Sequence, residues 1–563
     1  MNKKKFTRKE FLKISGTAVA GTLFGSPLSM LLESVLKGSL TSAYADGAPS
    51  PRKWVDFRFD NAPPRFVYDL FLQNQKSDKA KFVANGNHIF TKFVELNGRY
   101  VSGVYETVEM KALGKSSREI CAPHLWNQNV PASAGGVRPM ADLLAHFLNI
   151  RGIDTGNPAH EGSRTLHYLP LGAQQSLTAL SADGSSTPFA AVSYAVGDYA
   201  YRSLRATSPY PVGGTNLVNS LLAPFDPNFP VSVTRANEAK VKDYLEAARN
   251  GLKADALARN QQVEAAYKAI DGARELLGAS VTDLKTQWAP LLAKYSDLIA
   301  RSLTTPIPGI NDKPVGVAPA DRKPGTVPGG GAYDIVGVPV LNDDLNSIFN
   351  GAQITTMAEA FAISEFILLN NLSNSITVRI GEFTNLSVIS KMGGTATASG
   401  SAFDEHTTGG MVSTLLNAVH SLAHSACLLE LIDRLVAAGQ WQNTVINCSG
   451  EFNRKPRNSG TGSDHQYNGA SLALYSGIID GPYVLGDIAA DPEPTSYKGT
   501  NGAGVVQAGP ALDNEKIDIA SAAATIAQLL GVRSPVTARE TMLLVRGDGI
   551  IPRVPPGKIV TGM

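Results

Sequence analysis

From Trp54 to Phe59 the chain alternates apolar and charged side chains, then runs into Asp60-Asn61-Ala62-Pro63-Pro64-Arg65. A period of two that ends in proline predicts a strand entering a locked turn. Met140 to Asn149 has apolar residues at helical spacing and predicts a short amphipathic helix. Ile150-Arg151-Gly152-Ile153 then reads as a strand edge, with His160 in the loop beyond. The texture changes at residue 236. Val241, Tyr244, Leu245, Ala248 and Leu252, and later Leu291, Leu292, Tyr295, Leu298 and Ile299, fall on helical stripes within Ala/Leu/Lys/Glu-rich sequence. Two or three packed helices are expected over about 236–304, inserted into the main domain, with a cap as one arrangement for them. Pro306 to Gly331, inside a segment of about 305–332, reads as a long surface loop.

Beyond it the rhythm is regular. Met357 to Leu372 predicts a helix and Ser375 to Ile380 a β-branched strand. Met411 to Gly439 predicts one long helix stopped by its glycine, and Thr444 to Cys448 a short apolar strand. Ile517 to Leu530 predicts a helix ended by Gly531. Helices alternating with short buried strands predict an α/β fold on a mainly parallel sheet, without internal repeats. Residues 46–563 are expected to form that domain.

Composition narrows the function classes. The 563 residues are 43% hydrophobic and 18% charged, a globular balance, and the formal net charge is only +2. No dense basic run follows the first residues, so nucleic-acid binding has no electrostatic support. Three cysteines, Cys121, Cys427 and Cys448, make no disulfide framework; the latter two sit in apolar runs and read as buried small hydrophobes. No segment has about 18 uninterrupted apolar residues, so no membrane span is expected. The N-terminus groups Lys3, Lys4, Lys5, Arg8, Lys9 and Lys13 ahead of a weakly apolar stretch, Ile14 to Phe24, and Ala43-Tyr44-Ala45 suits a signal peptidase. Thr7-Arg8-Lys9-Glu10-Phe11-Leu12-Lys13 resembles a twin-arginine export signal, with Lys9 in place of the second arginine. The expectation is a signal at 1–45, passage through the twin-arginine machinery, and a periplasmic or secreted bacterial protein.

Three clusters carry candidate chemistry: Phe403-Asp404-Glu405-His406, Ser449-Gly450-Glu451-Phe452-Asn453-Arg454-Lys455-Pro456, and Gly462-Ser463-Asp464-His465. Carboxylates and imidazoles at the carboxyl ends of parallel strands are where α/β folds build sites, and these donors suit zinc, manganese, magnesium or calcium. The plainer readings are turn or cap roles for Asp404 and Asp464, and an ion pair between Glu451 and Arg454. His420 and His424 have the spacing of a zinc pair, but Ser421 stands where a metalloprotease has glutamate, and two ordinary helix histidines are the simpler reading.

The order of Gly439-Gln440-Trp441-Gln442-Asn443-Thr444-Val445, Glu451-Phe452-x-Arg454-x-Pro456 and Gly462-x-Asp464-His465 resembles the exported proteins grouped as domain of unknown function 1501, relatives of the sulfatase and alkaline-phosphatase superfamily. The resemblance is clear over residues 357–490 and looser before them, through the Asp60 turn and the Arg151-Gly152 to His160 stretch. It implies an alkaline-phosphatase-like three-layer α/β/α sandwich. It further implies a site for one or two divalent ions lined by Asp404, His406, Glu451, Asp464 and His465, with Asp60 approaching from the first strand and Arg454 neutralising a phosphate or sulfate oxyanion. Such enzymes place a serine, threonine or modified cysteine after the first strand. Asn61-Ala62-Pro63-Pro64 has none, and Cys121-Ala122-Pro123-His124-Leu125 lacks the sulfatase arginine. The expected function is therefore an exported metal-dependent hydrolase of phosphate or sulfate esters, small-molecule or polymer, that uses a metal-bound water. The rival is a non-catalytic binding or envelope-associated protein on the same fold.

Overall fold

The computed structural model describes residues 51–59, most of 120–222, 281–305, 351–381, 403–404, 410–456, most of 463–488 and of 517–552, and short strands within 91–113, 315–317 and 506–507. The export segment, Asp60, His406 and residues 236–280 lie outside the described residues. Eight strands form the central sheet: β1 (Lys53–Phe59), β2 (Phe147–Ile153), β3 (Ala191–Tyr194), β4 (Pro209–Val212), β5 (Ser375–Ile380), β6 (Thr444–Ser449), β7 (Ala470–Ser476) and β8 (Tyr483–Leu485). Their spatial order is β4-β3-β5-β1-β6-β7-β2-β8. Every neighbour runs parallel except across β7, which is antiparallel to both β6 and β2. The chain leaves β6 and re-enters at β7 on the same end of the sheet, with no crossover helix among the described residues between them, and such a return is antiparallel. That return carries Glu451, Arg454 and His465.

Helices α1 (His160–Tyr168), α2 (Leu177–Asp183), α3 (Val281–Thr304), α4 (Gly351–Leu369), α5 (Gly410–Ala437) and α6 (Ile519–Leu530) cover both faces. Alternation along β1 sorts the core. Val55, Phe57 and Phe59 pack with α3, α4 and α5 on one face, and Trp54 joins Val445, Leu472, Leu474, α2 and α6 on the other. Each such buried side chain contributes about 1.5–3 kcal/mol. The amino end of β1 meets helix ends on both faces. Arg52 donates from Nη1 to the Leu529 carbonyl (2.9 Å) in the last turn of α6. Lys53 Nζ donates to the Leu368 carbonyl (3.1 Å) in the last turn of α4, to Asn371 Oδ1 (2.7 Å) and to Gln440 Oε1 (2.8 Å). Cations belong at these carbonyl ends. Burial lowers the Lys53 ammonium to about 8.

The expected strands at Trp54–Phe59, Ser375–Ile380 and Thr444–Cys448 are present, as β1, β5 and β6. Helix α5 stops as expected, with Gly439 at φ +67° and Gln440 N–H bonded to the Leu435 carbonyl. Helix α6 begins on Asp518, whose carboxylate accepts from Ser521 N–H (2.7 Å), and ends on Gly531 at φ +73°. The Met140–Asn149 helix is corrected: a 3-10 helix covers only Met140–His146, and the strand takes over at Phe147. Phe147, Leu148 and Ile150 gain more between β7 and β8 than a longer helix offers, since the sheet buries all of them. Inside the expected 306–331 loop, Val315–Val317 forms a short strand beside Arg99–Thr107. The described part of the expected insertion, α3, belongs to the core layer. Tyr295, Leu298 and Ile299 are buried, and Lys294 bridges Glu365 of α4 (2.6 Å) and Glu430 of α5 (3.0 Å).

His420 and His424 lie on the core face of α5. His424 packs on Phe59 (centroids 5.0 Å) and Phe361 (5.3 Å), and His420 packs on Phe403 (4.7 Å). Cys427 and Cys448 are buried nearby, and burial raises both thiols. Among the described residues no helix is long and apolar enough to cross a membrane.

Burial holds His420 down to about 4 and His424 to about 3, with His420 adding to the effect on His424. Unfolded imidazoles protonate near 6.5, so below that pH the unfolded chain binds more protons and stability falls until the folded values are reached. Each residue contributes a slope of up to about 1.4 kcal/mol per pH unit in that window. Urea midpoints measured at pH 7 and pH 5 should drop on acidification, and His424→Leu should flatten the slope. An equal slope in that variant would contradict the assignment.

Candidate metal centre

The site stands at the carboxyl ends of β1 and β6. Even-numbered residues of β1 face the same side as Asn447 and Ser449 of β6, because Asp56 is in register with Asn447 and Arg58 with Ser449. The result is a buried polar square. Arg58 donates from Nε to Asp56 Oδ2 (2.8 Å) and from Nη1 to Ser449 Oγ (2.8 Å), while Asn447 Nδ2 reaches Asp56 Oδ1 (2.7 Å). Burial opposes the Arg58 charge, but Asp56, with Tyr168 and Glu451, outweighs it and raises the guanidinium pKa. The Tyr168 ring lies 4.6 Å from the guanidinium carbon and covers it.

Tyr168 belongs to α1, which begins at His160 and not beyond it, so the expected loop position of His160 is corrected. The preceding turn prepares the start: Asp154 Oδ1 accepts from Gly156 N–H and Asn157 Oδ1 accepts from Ala159 N–H, both at 2.8 Å. Helical spacing then places His160, Ser163, Arg164 and His167 on one face, and this polar stripe docks on Glu451. His160 Nδ1 meets Glu451 Oε2 at 2.5 Å, and Arg164 Nε and Nη2 fork onto Oε1 at 2.9 and 2.7 Å. The Ser163 hydroxyl donates to the Glu451 carbonyl. His167 is buried near the same backbone. Burial, then the Arg58 charge, lower its imidazole to about 3 against the pull of the Glu451 backbone, so it is neutral at physiological pH.

Three potential ligands converge in front of this stripe. His160, Asp404 and His465 each offer one donor atom, all within 4.8 Å of one another. His160 Nε2 lies 3.9 Å from Asp404 Oδ1, and the His160 and His465 rings stand edge to face at 4.6 Å. Phe403, buried against Phe59 and His420, anchors Asp404. Phe452, also buried, is the platform for His465 (4.4 Å) and His160 (4.9 Å). His465 is placed by a two-stranded ladder of Asn453–Pro456 with Ser463–Gln466, in which it pairs with Arg454.

Of the residues expected to bind metal, Asp404 and His465 are thus brought together, and His160 joins them. Glu451 is not one of the three convergent donors: its oxygens are engaged by Arg164 and by the far nitrogen of His160. Asp464 pairs with Lys455 in the ladder; its side chain, like Asp60 and His406, lies outside the described residues. Arg454 is buried and donates from Nη2 to Asp404 Oδ1 at 2.6 Å, so among the described residues it pairs with Asp404 where the sequence suggested Glu451. Two signals that sequence reasoning passed over mark the rest: charges at Asp56 and Arg58 inside a largely apolar strand, and the i, i+3, i+4, i+7 stripe of α1.

Replacing Arg58 with methionine leaves Asp56 and its buried carboxylate without their cation. That should cost about 3–5 kcal/mol in urea unfolding, whereas Asp56→Leu/Arg58→Met together should recover most of it. A near-neutral single variant would show that the square does not need the charge.

Residues 391–500 match a family described as Protein of unknown function (DUF1501). The match supports the resemblance to that family over a stretch that includes Asp404, Glu451, Arg454 and His465, and leaves out His160. No curated protein and no solved structure matches the chain.

Proposed function

We propose that the chain is an exported metal-dependent hydrolase of phosphate or sulfate esters, with one divalent ion held by His160, Asp404 and His465. The carrying observation is the convergence of those three donor atoms within 4.8 Å at the carboxyl ends of parallel strands. Two imidazoles and one carboxylate form the donor set of many catalytic zinc sites, which keep a further position open. Imidazole donors favour zinc over calcium, magnesium or manganese. Tetrahedral zinc places its donors about 3.3 Å apart, given bonds of about 2.0–2.1 Å. The 3.9 Å between His160 Nε2 and Asp404 Oδ1, and separations of up to 4.8 Å within the trio, would contract to that value on binding. Exposure is graded to suit such a site: the side chains of His160 and Asp404 are 28% and 18% exposed, those of Glu451 and Arg454 only 5% and 1%.

A bound ion supplies a Lewis acid and a water acidic enough to attack at neutral pH. The chain's own part is placement. Phe403 and Phe452 fix Asp404 and His465, and Arg454 sets the orientation of Asp404 while bringing a planar cation to the cluster, where ester oxygens would gather. The sequence Asp60-Asn61-Ala62-Pro63-Pro64-Arg65 carries no hydroxyl or thiol, which favours water as the attacking group. The alkaline-phosphatase-like architecture, twin-arginine export and a periplasmic or secreted location belong to this same proposal. They rest on the mainly parallel sheet covered by helices and on the basic N-terminus ahead of Ala43-Tyr44-Ala45.

One observation favours a second reading, an exported binding protein without catalysis. The Arg454 guanidinium already neutralises Asp404, as a bound ion would. Elemental analysis of the protein purified without chelators separates the two. About one ion per chain is expected, lost in Asp404→Asn and in His465→Ala, together with hydrolysis of aryl phosphate or aryl sulfate that chelation abolishes. A folded protein free of metal would defeat the hydrolase proposal and leave the binding reading.

A further inference from the structure

Glu451 has the residue type of a ligand but the contacts of an orienting group, and those contacts decide which nitrogen of His160 is available. A carboxylate only accepts hydrogen bonds. Its Oε2, 2.5 Å from His160 Nδ1, therefore requires the imidazole proton on Nδ1. In the neutral ring Nε2 then carries the lone pair, and Nε2 is the atom that faces Asp404. The carboxylate cannot turn away, because Arg164 forks onto Oε1 and Ser163 holds the Glu451 carbonyl. Helix α1 thus supplies both the imidazole and the two groups that anchor the carboxylate orienting it.

We infer that Glu451, anchored by Arg164 and Ser163, is a positioning residue that fixes His160 as the Nδ1–H tautomer and keeps Nε2 as a donor atom towards Asp404 and His465. The metal-affinity part of this inference rests on the proposed function; the tautomer part does not. Imidazole ligands commonly donate their second nitrogen to a carboxylate, and losing that partner weakens metal binding about tenfold to a hundredfold.

Glu451→Gln in the full chain gives a directional test. Arg164 donates, so it retains the amide oxygen of the substituted side chain on its own side and turns the amide NH2 towards His160. That NH2 donates to Nδ1 and drives the proton to Nε2. Nitrogen-15 NMR of histidine-labelled, metal-free protein at about pH 8, with His160 assigned from His160→Gln, should show the Nδ1–H tautomer in the wild type and the Nε2–H tautomer in Glu451→Gln. Cobalt(II) titration, followed by visible absorption, should show a loss of affinity of about tenfold or more in Glu451→Gln, with a changed spectrum. Arg164→Gln, at a partly exposed position, should shift both readouts in the same sense but less, and it serves if Glu451→Gln does not fold. An Nε2–H wild type, or an unchanged tautomer in the variants, overturns the inference. Equal cobalt affinity in the wild type and Glu451→Gln overturns it as well. If the wild type binds no cobalt while the tautomer reverses as stated, the proposed metal function fails and the positioning of His160 stands.

Discussion

Arg52 and Lys53 are neighbours at the amino end of β1 and point to opposite faces of the sheet, where each meets the carbonyl end of a helix. Arg52 caps α6 on one face. Lys53 gathers the end of α4 and Gln440, three residues beyond α5, on the other. The alternation that separates these two cations continues along the strand and sends Trp54 into one core and Val55, Phe57 and Phe59 into the other. A slip of one residue in the register of β1 would turn Asp56 and Arg58 into the layer of α3, α4 and α5, turn Phe57 and Phe59 out of it, and put the caps on the wrong helices. The layers on both faces therefore depend on one strand in one register.

At its other end the same strand places charge instead of burying hydrocarbon. Asp56 and Arg58 are tolerated inside the sheet because Asn447 and Ser449, in register on β6, complete their hydrogen bonds, and because Tyr168 covers the guanidinium. Through Tyr168 the square reaches α1, and through α1 it reaches Glu451. A rigid, buried polar platform thus lies beneath three more exposed donors. Metal sites need that arrangement, since donors left to move cost affinity and geometry. The antiparallel return through β7 matters for the same reason: it folds Arg454 and His465 back over the end of the sheet where α1 begins.

The sequence by itself determined the local structure of this protein wherever one element's pattern was enough. Alternation marked β1, a β-branched run marked β5, a short apolar run marked β6, and Gly439 and Gly531 marked the ends of α5 and α6, because period and left-handed backbone are properties of a few consecutive residues. Asp404 and His465 were legible as candidate donors for a similar reason: each stands in a short motif, Asp404 ahead of the long helix and His465 after the strand that ends at Cys448. What the tertiary structure decided was partnership. The start of β2 at Phe147, the place of α3 in the core and the antiparallel course of β7 follow from what lies beside them. His160 joins Asp404 and His465 across more than two hundred residues, and Glu451 turns from candidate ligand to orienting group only because Arg164 and His160 take its two oxygens. A carboxylate has the same composition in either role; what differs is the direction from which its hydrogen bonds arrive, and that direction is set by packing.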